Sequence, residues 1–183
     1  NMISNIDLSP FQNLISLSCG YNQFTGLDVN MLPQLKSLSC RHNQITNMDI
    51  SGLLNLTDLD CYENQLTNLD LTGLPNLKSL ICQSNPLTSL NLTGLVYLEY
   101  LICVATQLTG IDLSTQSSLI VMDCSFSRLI NLDVSHSPNL ITLECSSCDL
   151  TSLNVIGLAQ LETLNCLDNA LPALDLSGLT HLK

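Results

Sequence analysis

Thiols can pair as disulfides, ligate zinc, or act as nucleophiles and redox couples, and this 183-residue chain has nine cysteines. Eight of them, Cys19, Cys40, Cys61, Cys82, Cys103, Cys124, Cys145 and Cys166, follow one another at intervals of 21 residues. So regular a spacing marks a repeat and not a site. Stacked repeats would hold equivalent Cβ atoms about 4.8 Å apart, whereas a disulfide needs about 3.5–4.5 Å and a suitable dihedral. The expectation is a ladder of free, buried thiols serving as small hydrophobes. Burial shields them from solution, so their number does not identify the redox compartment. Cys148 completes a CxxC with Cys145 but stands where other repeats carry Asn22, Asn43, Asn64, Asn85 and Asn169. No second CxxC offers further ligands, and no metal is assigned.

The other reactive residue types also dissolve into the repeat. His42, His136 and His181 occupy different frame positions in different repeats, so no catalytic set assembles around them. Asp7, Asp28, Asp49, Asp70, Asp112, Asp133 and Asp175, interrupted by Asn91 and Asn154, form an acidic column. Such carboxylates can gather calcium, but bonding to local backbone N–H groups or facing water is the expectation. There is no phosphate-cradling glycine loop and no nucleophile with its base. The chain reads as a non-enzyme without a cofactor.

What positions these columns is a frame, LxxLxCxxNxLTxLDL, shown by Leu56, Leu59, Cys61, Asn64, Leu66, Leu69 and Leu71. Leu59 and Cys61 alternate with Asp58, Asp60 and Tyr62, which predicts a short strand with one buried face. Leu69-Asp70-Leu71 alternates again and predicts a second narrow strand in each repeat, with no room for a helix of more than about a turn. A lone repeat cannot bury its apolar edges, so the repeats must stack into a rod with two parallel ladders. The inward asparagines should serve backbone groups at the turn after the strand. That column lapses at Thr106, Ser127 and Cys148, where looser turns are expected. Thr25, Thr46, Thr67, Thr88, Thr109 and Thr151 form a further ladder expected to satisfy turns.

The core cysteine and the stretch Asn64 to Leu71, NQLTNLDL, resemble the bacterial surface leucine-rich-repeat proteins of the internalin type with a 21-residue cysteine ladder. The resemblance runs over nearly the whole chain and departs at Gly73 to Leu77, where Gly-Leu-Pro-Asn-Leu replaces a polar turn. It implies a leucine-rich-repeat solenoid: a β-rich right-handed coil, a parallel sheet on the concave face, short strands or turns on the convex face, and no long helices. It also implies adhesion or partner binding at an extracellular or bacterial cell-surface location. The repeats divide residues 1–183 into a partial repeat over 1–13, eight repeats over 14–181 and the start of another at 182–183. A fragment of a longer chain is expected.

Charge narrows the partners. Five Lys and Arg against 16 Asp and Glu leave a net charge of −11, which repels phosphate backbones and anionic lipid. Nucleic acid is not an expected partner. The densest apolar stretch, Gly94 to Ala105, contains Glu99, so no membrane insertion is expected either.

A binding face follows from the outward positions of the first strand, which vary while the frame holds. Stacking brings Ile81, Tyr100, Ile102, Val104 and Val121 together, with Phe126 at the rim and Asp58, Asp60, Glu63, Asp123 and Glu144 around them. An apolar centre with a charged margin is the pattern of a recognition surface for a protein or cell-surface ligand. Another domain of the same chain or complex is the alternative cover for it. Two further readings compete with an adhesin module. A structural spacer predicts a uniformly polar outward face, and a recognition domain fused to an enzyme predicts a catalytic domain elsewhere in the gene.

Overall fold

The computed structural model describes residues 1–183 and contains strands, turns and no helix. Twelve strands of three residues each alternate with tight turns: β1 (Ser16–Ser18), β2 (Gly26–Asp28), β3 (Ser37–Ser39), β4 (Asn47–Asp49), β5 (Asp58–Asp60), β6 (Ser79–Ile81), β7 (Tyr100–Ile102), β8 (Val121–Asp123), β9 (Asn131–Asp133), β10 (Thr142–Glu144), β11 (Ser152–Asn154) and β12 (Thr163–Asn165). Eight of them form one parallel sheet in the order β1-β3-β5-β6-β7-β8-β10-β12. Every pairing in it is offset by one repeat, as in Leu38↔Leu59, Leu59↔Leu80 and Leu80↔Leu101. Residues 21 apart in sequence are therefore neighbours in space.

The alternation of the frame explains which way each side chain points. Leu59, Leu80, Leu101, Met122 and Leu143 are central in their strands, and their inward side chains are at most 1 % exposed. They belong to a single apolar core of 47 buried residues. All nine cysteines are free thiols, eight buried and Cys166 half-buried at the last coil. Burial pushes Cys19 up to about 11 and Cys82 up to about 12, so both remain protonated at neutral pH.

The second ladder is only partly present, which corrects the expectation of a narrow strand in each repeat. β2 pairs with β4 and β9 pairs with β11, but Asn68–Asp70, Ser89–Asn91 and Gly110–Asp112 form no strands. One cause is Pro86, which has no N–H. Neighbouring coils bridge there through Gln65 N–H to the Ile45 carbonyl and Gln107 N–H to the Leu87 carbonyl. Beside that break an open cleft of about 460 Å³ lies between Asn68–Leu71 and Ser89–Asn91.

The acidic column closes turns. Asp7, Asp28, Asp49, Asp70, Asp112, Asp133 and Asp175 each accept a hydrogen bond from the backbone N–H two residues on. Asn91 and Asn154 do the same at their two positions. Of the threonine column, Thr46 and Thr151 donate to the carbonyls of Thr25 and Ile130.

Candidate recognition face

The asparagine ladder is what holds each coil's turn against the next. Asn64 Nδ2 donates to the carbonyls of Cys61 at 3.0 Å and Cys40 at 3.1 Å, while its Oδ1 accepts the Ile45 N–H at 3.0 Å. Asn85 repeats the pattern with Cys82, Cys61 and the Leu66 N–H. Asn43, in the second coil of the series, and Asn169, in its last, do likewise, and Asn22 accepts from the Ile3 N–H. Each amide thus satisfies backbone groups that stacking removes from water.

Three substitutes cannot do all of this. Thr106 Oγ1 donates to the Cys103 carbonyl and shares a hydrogen bond with Ser127 Oγ. Cys148 Sγ reaches only carbonyls, those of Cys124 at 3.3 Å and Ser146 at 3.7 Å. The N–H groups of Leu87, Leu108 and Leu129, equivalent to that of Ile45, have no acceptor, although these residues are fully buried. The missing amide oxygen is the cause. Nearby, Gln116 and Ser137 bury polar groups where other repeats have leucine, and both are satisfied: Gln116 Nε2 donates to the Leu92 carbonyl and Ser137 Oγ to that of Gln116.

On the outward face of the main sheet, register brings together the apolar residues that spacing singles out. Ile81 lies opposite Ile102, and Tyr100 opposite Val121. Asp60 precedes Ile81 and Asp123 follows Ile102 in the same column. Glu144 stands beside Asp123, and Asp58 beside Ser79, the rung before Tyr100. Exposure is uneven: Tyr100 is 43 % exposed and Phe126 62 % exposed, while Ile81, Ile102, Val104 and Val121 are half-buried. The patch is therefore a shallow apolar floor with two aromatic rings standing out of it.

The acidic margin is partly engaged within the protein. Asp60 accepts Ser39 Oγ–H at 3.0 Å and the Tyr62 N–H at 3.2 Å, using both oxygens. Asp123 accepts the Ser125 N–H, and Asp58 accepts Thr57 Oγ1–H. Asp60 and Asp123 therefore also shape the turn after the strand.

One feature of this face has no signal in residue type. Tyr21, His42, Glu63, Ser84, Ala105, Phe126, Ser147 and Asp168 all lie at φ between 52° and 58°, a left-handed conformation usually given to glycine. No glycine occupies the position in any coil, so composition could not announce it. Bonds between coils hold it: the N–H groups of Tyr21, His42, Glu63, Ser84, Ala105, Phe126 and Ser147 each donate to a carbonyl of the following coil. These residues project along one rim. There the His42 ring stacks on Tyr21 at 4.1 Å and meets Tyr62 edge-on at 4.7 Å. His42 Nδ1 lies 2.9 Å from Glu63, and Arg41 lies over the Tyr21 ring at 5.5 Å. Gly20 makes room for Arg41, since a Cβ there would fall 2.9 Å from the Arg41 carbonyl oxygen. His42 is thus a packed member of an aromatic rim.

Comparison with known proteins agrees with the geometry. Residues 33–73 match the family model for leucine-rich repeats in two copies. Among solved structures, the functional domain of InlJ from Listeria monocytogenes, described as including a cysteine ladder, is 33 % identical over 100 % of this chain and 45 % of its own, with a TM-score of 0.79. The Leptospira interrogans leucine-rich-repeat protein LIC12759 is 25 % identical over 100 % of this chain and 51 % of its own, with a TM-score of 0.91. Internalin C2 of Listeria monocytogenes is 26 % identical over 92 % of this chain and 77 % of its own, with a TM-score of 0.80. The chain spans about half the length of the first two. No curated protein matches it by sequence. No helix is long and apolar enough to cross a membrane.

Proposed function

Because the chain is a leucine-rich-repeat solenoid of the cysteine-ladder kind, we propose that it is a recognition module that binds a protein ligand through its main-sheet face, at or outside a bacterial cell surface. The observation that carries the reading is the in-register pairing of Ile81 with Ile102 and of Tyr100 with Val121 at outward positions. A spacer would have polar residues there. Apolar side chains facing out of consecutive rungs, beside exposed aromatic rings and within an acidic margin, supply the desolvated centre and polar rim of a protein interface. The surface location rests on the resemblance to internalin-type proteins.

The rigid sheet favours a preorganised site. Its strands are held on both sides by neighbours, so binding would order few backbone groups and lose little entropy. Tyr100 and Phe126 present large area at small conformational cost and are the natural anchors. The test is to screen the purified chain against a panel of extracellular proteins by biolayer interferometry and repeat each hit with Ile102→Glu and Tyr100→Ser. Either change should weaken binding about 30-fold, the size of a hot-spot loss. Affinity unchanged in both variants would remove this face from consideration.

A further inference from the structure

The edge where each coil turns into its main-sheet strand carries a second side-chain ladder. Asn55 Nδ2 donates to the Pro33 carbonyl at 2.9 Å, Asn76 Nδ2 to that of Leu54 at 3.0 Å, Ser118 Oγ to that of Val96 at 2.8 Å and Asn139 Nδ2 to that of Ser117 at 3.0 Å. Each side chain is tethered to the preceding coil. With the amide nitrogens committed, the Oδ1 atoms of Asn55 and Asn76 accept no bond within the protein. Tyr97 breaks the series: it holds the equivalent position, makes no hydrogen bond and is 55 % exposed.

One column over stand Lys36, Thr57, Lys78 and Glu99. Lys78 pairs with Glu99 at 3.0 Å, whereas Lys36 is exposed and has no acidic partner. Together Lys36, Asn55, Thr57, Asn76, Lys78 and Tyr97 line an open groove of about 430 Å³. Two of the chain's five cationic side chains meet there, although the net charge is −11. From the coil of Lys36 to that of Tyr97 is three coil spacings, on the order of 14 Å.

We propose that this groove binds a short acidic saccharide. A ligand suited to it needs a negative group for the unpaired ammonium, hydroxyl donors for two fixed amide oxygens, and an apolar face for one exposed ring. A saccharide with a carboxylate has all three. Lys36 takes the carboxylate, Asn55 and Asn76 accept sugar hydroxyls, Lys78 donates to a ring or hydroxyl oxygen, and Tyr97 offers the platform on which a pyranose stacks. A peptide would need apolar anchor pockets, and Tyr97 is the only apolar side chain here. The proposal is independent of the main-sheet reading.

The test is isothermal titration with trigalacturonic acid, with a neutral galactose trisaccharide and inorganic phosphate as comparison probes. Lys36→Gln and Tyr97→Ala should each weaken trigalacturonate binding about tenfold, Lys36→Arg should retain it, and Ile102→Glu on the main sheet should leave it unchanged. All substituted positions lie outside the core, and thermal unfolding of each variant checks that it folds. Three results would overturn the proposal: no binding of trigalacturonate up to about 10 mM, equal binding by the wild type and the K36Q/Y97A double variant, or phosphate binding as tight as that of the trisaccharide.

Discussion

In the coil of Asn64, one amide closes the turn, caps two carbonyls and receives the buried N–H of Ile45. In the coils of Thr106, Ser127 and Cys148 the carbonyl half of that job is done, and the N–H groups of Leu87, Leu108 and Leu129 are left without acceptors. Yet the main sheet runs through both regions with the same one-repeat offset. Strand pairing and apolar burial keep the register, and the asparagines add stability to a stack already aligned. The under-satisfied coils also adjoin the apolar floor around Ile102 and Val121.

The largest effect expected from this contrast is at Asn64. Asn64→Ala strands the buried Ile45 N–H and takes one of two side-chain donors from each of the Cys40 and Cys61 carbonyls, which Asn43 and Asn85 still serve, and should cost about 2 kcal/mol in chemical denaturation, since a buried orphan costs roughly 1–3 kcal/mol. A loss no larger than that of an exposed substitution would show that the ladder carries no stability. The reverse change is smaller. Cys148→Asn returns an acceptor to the Leu129 N–H and should stabilise by about 1 kcal/mol, with slower hydrogen exchange at the Leu129 amide. Unaltered exchange there would mean that the defect costs nothing.

The smallest effect is spread along the acidic column. Hydrogen bonds hold several of these carboxyls below their ordinary value of 3.8: first the Asn30 amide for Asp49, the Thr72 hydroxyl for Asp70 and the Ser135 hydroxyl for Asp133. A carboxyl lowered on folding contributes stability above its unfolded value and loses it as pH falls through the folded one. Melting temperature should therefore change little from these groups between about pH 5 and 7 and drop as the medium is acidified below 3.8. Asp70→Asn keeps an acceptor for the Thr72 N–H and removes one share of that slope. A slope unchanged in this variant would assign the acid sensitivity elsewhere.

The solenoid was legible because a repeat states its own contacts: eight cysteines 21 residues apart oblige equivalent residues to become neighbours. The asparagine column was legible for the same reason, as was its lapse at Thr106, Ser127 and Cys148. Grouping Ile81, Tyr100, Ile102 and Val121 needed only that register and the alternation of a strand. Their degree of exposure did not follow, because it depends on how far neighbouring side chains lean over them.

What the amino acids determined unaided was the period, the inward and outward faces, and a core of leucine and cysteine. What only the tertiary structure decided was the fraying of the second ladder at Asn68–Asp70, Ser89–Asn91 and Gly110–Asp112, the left-handed rim from Tyr21 to Asp168, and the groove between Lys36 and Tyr97. Those features arise from bonds between coils and from how neighbouring coils pack. Periodicity says which coils touch, whereas where the second ladder pairs and where it breaks is settled only when all of them pack at once.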